Sequence, residues 1–324
     1  MNTAYQPLLL GLALSLCTLL AQAAPRQHEA YAVVESVQMP SWMERQGVRS
    51  ALTPGQVLRN EDRIITGAEA RALINLSEGS AVKLGENAQL DLHQLGRQKD
   101  NTFTAALDIA KGAFRFTTGV FAKLQQRRSV NLRVATITAG IRGTDVWGSA
   151  DKERDLICLL EGKVSVQHGQ DAEQLMTEPL SFYVVPNGQA ANPIGQVDAE
   201  KIKLWSLETE ISKGSGYASR GGKWRVELAR FDNESAALAL YDQARTAGYP
   251  VSLKPRALGT SGAQAKPSTP AVYHYVVQLT QLPSKLEAQA LAEKLKQTLS
   301  LSAPVVKRSS LPGRAAPVKT QAPA

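Results

Sequence analysis

Short segments that alternate apolar and polar residues fill the chain over residues 30–196, and Gly, Asn and Asp separate them. One segment runs from Ala70 to Leu76, and the next begins at Val82, after the turn residues Ser77–Ser80. A period of two is the spacing of a strand with one buried face. Such strands at roughly 8–12-residue intervals predict an antiparallel all-β domain, either a sandwich or a short β-solenoid.

The pattern changes over residues 197–221. Ala199, Ile202 and Trp205 recur at helical spacing among charged residues, which predicts one short helix that packs its Trp205 side back on the β domain. Residues 212–222 are rich in Gly and Ser, so we expect a flexible linker there.

An internal repeat occupies residues 222–308. Each copy reads strand, helix, strand, which together predict a β-α-β-β-α-β α+β sheet with both helices on one face. Ser284 and Glu287 have the spacing of a capping box at the start of the second helix. The matched strand positions are Val226 and Leu228 with Val277 and Leu279, and the matched helix positions are Ala237, Leu240 and Ala244 with Ala288, Leu291 and Leu295.

The N-terminus indicates export. The apolar run Leu8–Leu20 is followed by Ala21-Gln22-Ala23, a cleavage pattern, although Met1–Gln6 contains no Lys or Arg. An uncleaved anchor is the alternative, but the run is shorter than the ~20 residues that a membrane-spanning helix needs. We therefore expect a signal peptide over residues 1–23, cleaved on export to the periplasm, and no membrane span in the mature chain.

Charge and cysteine content narrow the class of protein further. The net charge of +8, from 37 Lys+Arg and 29 Asp+Glu, favours anionic partners. Cys17 lies in the predicted signal peptide, so Cys158 has no partner for an internal disulfide and is interpreted as a buried apolar residue. The Pro- and Ala-rich tail over residues 309–324 is expected to be disordered.

Catalytic patterns are missing from the sequence. The four histidines are scattered, and neither metal-ligand spacings, a nucleophile elbow nor a phosphate-binding loop occurs. We therefore expect no enzyme activity, no metal and no cofactor. Paired carboxylates that act on a glycan stay open as an alternative, because Asp and Glu are numerous.

The β domain carries a series of motif-like segments, which are Leu52–Gln56, Asp62–Gly67, Ala70–Leu84, Ile141–Asp145, Leu160–Val164 and Pro186–Gln189. In these segments and their order, the domain resembles the FecR family. This resemblance implies a periplasmic domain that contacts a protein or an envelope polymer. Because the sequence has no recognisable cytoplasmic anti-sigma segment or membrane span, we do not expect it to regulate a sigma factor. Within the motif Arg142, Gly143, Thr144 and Asp145, we expect a tight backbone at the glycine and a local pair between Arg142 and Asp145.

The repeat region carries four further motif-like segments, which are Trp224–Phe231, Gly248–Pro250, Val276–Leu279 and Ala303–Val306. In these segments the region resembles SPOR domains, a family that binds septal peptidoglycan glycan strands from which the stem peptides have been removed. In two places the sequence departs from the family: Glu227 stands where Gln is frequent, and Thr280-Gln281-Leu282 replaces Gly-x-Phe.

Strand alternation places a set of polar residues on the sheet face away from the helices. Their side chains can hydrogen-bond sugar hydroxyls, although a merely solvated sheet face would have the same pattern. The predicted glycan-binding residues are Arg225, Glu227, Ser252, Lys254, His274, Gln278 and Thr280.

These features predict a non-catalytic adaptor of the cell envelope that binds peptidoglycan at division sites and presents its β domain to a protein partner. Two alternatives are a signalling component linked to an outer-membrane transporter and a glycan-processing enzyme. A nucleic-acid partner is not expected, because export argues against it and no aromatic-rich basic motif occurs. The basic segment Lys123–Arg128 could contact an acidic envelope polymer or be a solvated loop.

Overall fold

The computed structural model describes residues 30–119, 127–141, 143–257 and 273–309. The predicted signal peptide, the segment 123–126, most of the loop between the repeat copies and residues 310–324 lie outside the described residues. Within the described ranges, no helix has the length and apolarity needed to cross a membrane.

The described residues of the predicted all-β region form eighteen strands that are hydrogen-bonded into one continuous sheet. Strands β1 to β9 are Ala32–Gln38, Ser41–Arg45, Val48–Ala51, Val57–Leu58, Arg63–Thr66, Arg71–Leu76, Ser80–Leu84, Gln89–Arg97 and Phe103–Thr118. Strands β10 to β18 are Arg128–Val134, Ile137–Ile141, Asp145–Ala150, Arg154–Glu161, Val164–His168, Gln174–Met176, Ser181–Pro186, Gly195–Gln196 and Ala218–Ser219.

Strand β9 joins the two halves of this sheet. Its first part pairs with β8 and β10, and its second part pairs with β7 and β12. Gly112 lies at the change of partners with φ +88°, and a Cβ there would come within 2.5 Å of Ala88 Cα. Buried side chains of both halves, such as Ile74 and Leu107, belong to one core, as in a sandwich.

One pairing departs from the predicted antiparallel arrangement. Strand β10 runs parallel to the first part of β9, from Arg128 beside Phe103 to Val134 beside Ile109. The second part of β9 has already carried the chain into the other half of the sheet, so the chain must return before β10 can pair with the start of β9.

The predicted short helix is α1, Ala199–Leu207, and it packs on the outer face of the β region. Trp205 stacks on Trp147 with ring centroids 4.9 Å apart and planes 12° apart, and Ile202 is buried beside them. The expectation that Trp205 faces the β domain is therefore confirmed.

The repeat region has the predicted β-α-β-β-α-β architecture. Its described residues form four strands in the order β20-β21-β19-β22, each antiparallel to its neighbours. The helical apolar positions Ala237, Leu240, Ala288 and Leu291 are buried. Its elements are β19 Trp224–Phe231, α2 Glu234–Thr246, β20 Ser252–Ala257, β21 Tyr273–Leu282, α3 Lys285–Thr298 and β22 Val305–Arg308.

The segment 212–222, predicted as a flexible linker, is instead held in place. Strand β18 pairs antiparallel with β1, and the backbone N–H groups of Gly214 and Gly216 donate to the Glu287 carboxylate at 2.7 and 2.8 Å. The predicted capping box is therefore only half formed. Ser284 Oγ accepts from the Glu287 N–H at 3.2 Å, while the carboxylate of Glu287 binds the connecting segment.

Direct hydrogen bonds also join the repeat region to the β region. Trp42 Nε1 donates to the Thr246 carbonyl at 3.0 Å, and the Ser41 N–H donates to the Gly248 carbonyl at 3.2 Å. Gly248 has φ +85°, and a Cβ there would lie 2.8 Å from the Trp42 ring. The described residues from Tyr31 onward consequently belong to one compact unit.

Glu287→Ala should lower the free energy of unfolding by about 1–3 kcal/mol, because Gly214 and the buried Gly216 would each lose the buried carboxylate that accepts their N–H groups. Denaturant titration measures the loss, and amide hydrogen exchange should show faster exchange at both glycines. The matched control is Glu293→Ala, an exposed position on the same helix. Equal unfolding midpoints for the two variants would contradict this account of the connection.

Candidate functional site

The face of the four-stranded sheet opposite the helices carries the predicted polar residues in register. Ser252 lies beside Gln278, Gln278 beside Glu227, and Glu227 beside Val305, so one row crosses all four strands. Residues on the other face, such as Leu279, belong to the apolar core beneath the helices.

The remaining predicted residues lie around this row. Lys254 is two positions along β20 from Ser252 and is exposed, His274 lies beside Arg256, and Arg225 lies beside Lys307. Thr280 lies two residues after Gln278 on β21, where the register between β21 and β19 is irregular. The next residue, Gln281, has φ +65°. Thr280 also lines a cavity at the end of β20.

A buried carboxylate lies at the centre of the face. Glu227 is 2% exposed, and its Oε2 accepts from Lys307 Nζ at 2.7 Å and from Arg230 Nη2 at 2.9 Å. Its Oε1 accepts from Arg225 Nε at 3.4 Å. Three cations therefore surround one anion, so the cluster as a whole is positively charged.

These cations determine the ionisation of Glu227. Burial alone would raise the pKa of its carboxyl group, but the hydrogen bonds from Lys307 and Arg230 and the charges of both outweigh burial and lower the pKa to about 2. Glu227 is thus ionised at neutral pH. It holds the surrounding cations in position, since its own oxygens are buried and occupied.

Sequence reasoning missed Arg230 and Lys307 as members of this face. Strict alternation places residue 230 on the helix side, but the register shifts between Glu227 and Ala229, and this bulge returns Arg230 to the side of Glu227. Lys307 could have been predicted to lie on this face, because it is in the last strand, β22, and lies beside Arg225.

Basic side chains dominate the whole face. Beside the Glu227 cluster, β20 contributes two further cations that are exposed. The basic residues of the face are Arg225, Arg230, Lys254, Arg256 and Lys307, and Glu227 is the carboxylate among them.

Two buried polar atoms of the face have no hydrogen-bond partner among the described residues. They are Gln278 Oε1, on a side chain that is 5% exposed, and His274 Nε2. A buried amide oxygen without a partner costs free energy. A ligand hydroxyl or N–H that reached Gln278 would remove that cost, which favours a ligand rich in donors.

In the FecR-like motif, residues 143–145 have structural roles. Gly143 has φ +74°, Thr144 is fully buried, and both carboxylate oxygens of Asp145 accept from the Arg115 guanidinium at 2.7 and 2.9 Å. Arg142 lies outside the described residues. The partner of Asp145 in the structure is thus on β9, whereas the sequence suggested a local pair.

Metal and thiol chemistry find no support in the described ranges. No cluster of His, Cys, Asp or Glu there could hold a metal ion. Cys158 is buried as predicted, and desolvation raises the pKa of its thiol to about 12, so it stays protonated.

Comparison with known proteins assigns both regions. Residues 62–165 match the family model described as FecR protein, and residues 221–308 match the model described as SPOR domain. The predicted order of a FecR region and a SPOR region is confirmed. No curated protein matches the chain.

Two solved structures of a candidate anti-sigma factor from Parabacteroides distasonis ATCC 8503, at 1.65 and 2.50 Å resolution, are each 12% identical to this chain. Each match covers 76% of this chain and 99% of the other, with TM-scores of 0.37 and 0.38. At this level of similarity the matches do not establish a shared fold.

The family matches define the broad role. A SPOR domain implies binding to peptidoglycan, and a FecR domain implies a regulatory role with a protein partner. Both are typical of proteins of the bacterial envelope, and both families are non-catalytic.

Stability should depend on pH through Glu227. Because its pKa of about 2 in the folded chain is below the ordinary value of 4.5, its contribution is complete above about pH 4.5 and is lost as the pH falls towards 2. We expect a loss of about 1–3 kcal/mol over this window, since the partly exposed cations are screened by solvent.

Denaturant titrations at several pH values measure this contribution. Glu227→Gln should be less stable near neutral pH and should show a flatter decline below about pH 4.5, whereas the exposed control Glu173→Gln should follow the wild type. If the free energy of unfolding of Glu227→Gln changed with pH in parallel with that of the wild type, the ionised Glu227 and its cation cluster would not stabilise the fold.

Proposed function

We propose that this chain, which carries a FecR domain followed by a SPOR domain, is a periplasmic adaptor that binds peptidoglycan glycan strands stripped of their stem peptides. It binds without turnover. The SPOR region localises the protein to stripped strands, as at division sites, and the FecR region presents a β surface to a protein partner.

The observation that carries the proposal is the polar row Ser252–Gln278–Glu227 with its surrounding cations. The row spans adjacent strands, and strands in a sheet lie about 4.8 Å apart, so an extended polymer can contact several strands at once. Gln278 Oε1 lacks a donor among the described residues, and a sugar hydroxyl can supply one.

The cations favour stripped strands over intact ones. Hydrolysis of the amide that joins a stem peptide to the glycan leaves a carboxylate on the sugar's lactyl group. The glycan therefore gains negative charge along its length as peptides are removed. Lys254 and Arg256 are exposed on the face and can pair with these carboxylates.

The ionised Glu227 does not oppose such a ligand. Arg225, Arg230 and Lys307 surround its carboxylate, and the cluster remains positive as a whole. This departure from the family pattern therefore fits an anionic glycan, because the carboxylate positions cations that a glutamine would leave unpaired.

Co-sedimentation of the purified chain with sacculi tests the proposal. Pelleting should increase after an amidase has removed the stem peptides, and it should decrease as salt is added, because exposed charge pairs are screened. Lys254→Gln with Arg256→Gln should reduce pelleting severalfold. The control Lys285→Gln, exposed on the helix side, should not. Equal pelleting on intact and stripped sacculi would exclude recognition of stripped strands.

Replacing Gln278 by Met separates binding from stability. The substitution removes an unpartnered buried amide oxygen while keeping a similar volume, so thermal stability should stay equal or rise. Glycan binding should nevertheless weaken, because the acceptor at the centre of the row is lost. Normal pelleting by a stably folded Gln278→Met chain would remove Gln278 from the binding face.

A further inference from the structure

A cavity of about 550 Å³ lies where the edge strand β20 meets the β region. The SPOR region contributes Tyr241 and Arg245 from α2 together with Ser252 and Thr280, and the FecR-side β region contributes Thr53 and Pro54. This volume is within the range of roughly 300–1,000 Å³ that small-molecule sites occupy. The cavity is therefore shared by both regions of the chain.

The cavity shares lining residues with the proposed glycan face. Ser252 is at once the first residue of the row that crosses the sheet and a lining residue of the cavity. Thr280 was likewise predicted as a glycan contact, and the structure places it here. A polymer that crosses the row and leaves the sheet at β20 therefore passes Ser252, which also lines the cavity.

The lining has the chemistry of a sugar subsite. Tyr241 supplies an aromatic wall, Thr53, Ser252 and Thr280 supply hydroxyl groups, and Arg245 supplies a cation. Arg245 lies over the Tyr241 ring at 5.5 Å from its centroid, which holds the cation beside the aromatic wall.

Both regions are fixed around the cavity. Trp42 Nε1 donates to the Thr246 carbonyl in the last turn of α2, and a second cavity of about 280 Å³ between Trp42 and α2 shares Tyr241 and Arg245 with the first. The FecR-side wall is therefore held at a defined distance from α2.

We infer that the glycan-binding surface continues past β20 into this cavity, so that Thr53 and Pro54 of the FecR-side region form part of the site for a long, stripped glycan strand. This inference rests on the proposed function. It implies that the whole chain has a longer binding site than its SPOR sheet alone, and that strand length contributes to affinity.

Binding of soluble stripped glycan fragments of two lengths tests the inference on the full chain. A short fragment occupies the sheet face, and a long strand occupies both the face and the cavity. Tyr241→Ala and Thr53→Met should weaken binding of long strands by about three- to tenfold and leave binding of short fragments unchanged. The control Thr177→Met, exposed elsewhere in the β region, should bind both as the wild type does.

The outcomes separate the two proposals. If the wild type binds neither fragment, the proposed function is wrong, and the inference is wrong with it. If the wild type binds both, and the two cavity variants keep wild-type affinity for long strands, only the extension into the cavity is overturned. Thermal unfolding of each variant shows that it is folded, and Thr53→Met tests the cavity from the wall opposite to Tyr241.

Discussion

The ionised carboxylate of Glu227, buried in the middle of a sheet face, is the constraint on which the candidate site depends. A buried charge is tolerated only where opposite charges and hydrogen bonds compensate for its lost hydration. Arg225, Arg230 and Lys307 provide that compensation from two adjacent strands. The same contacts hold these cations on the open face, so one interaction both stabilises the sheet and gives its surface a positive charge.

A second buried carboxylate connects this sheet to the rest of the molecule. Glu287, at the start of α3, accepts from two glycine N–H groups of the connecting segment, and β18 adds that segment to the sheet of the β region. The SPOR region is consequently fixed against its neighbour. This rigid connection gives the cavity beside β20 walls from both regions, and a flexible linker would not.

Periodicity in the sequence was sufficient to predict the architecture of the small sheet and much of the candidate site. The repeat predicted both helices and the strands of the small sheet, and alternation placed Glu227, Gln278 and Ser252 on one face, where the structure has them in a single row. These features depend on spacing along one segment, and such spacing is visible in a sequence.

Features that depend on distant partners could not be predicted in this way. Arg230 lies on this face because a bulge in β19 shifts the alternation of its side chains. The spacing of residues in the sequence does not indicate where a bulge occurs. The linker was predicted as flexible because its Gly and Ser content is typical of flexible chains, whereas the acceptor that fixes it, Glu287, lies 71 residues beyond Gly216. The parallel pairing of β10 with β9 is likewise a property of chain topology.

The central claim is that the cationic face recognises carboxylates exposed on stripped glycan, and affinity for chemically matched strands tests it most directly. Stripped strands would be compared with the same strands after their carboxylates have been converted to neutral amides, by titration into the full chain. The account predicts clear binding of the stripped strands and a loss of at least about tenfold for the amidated strands. Equal affinity for the two would contradict it, and recognition would then rest on sugar hydroxyls alone.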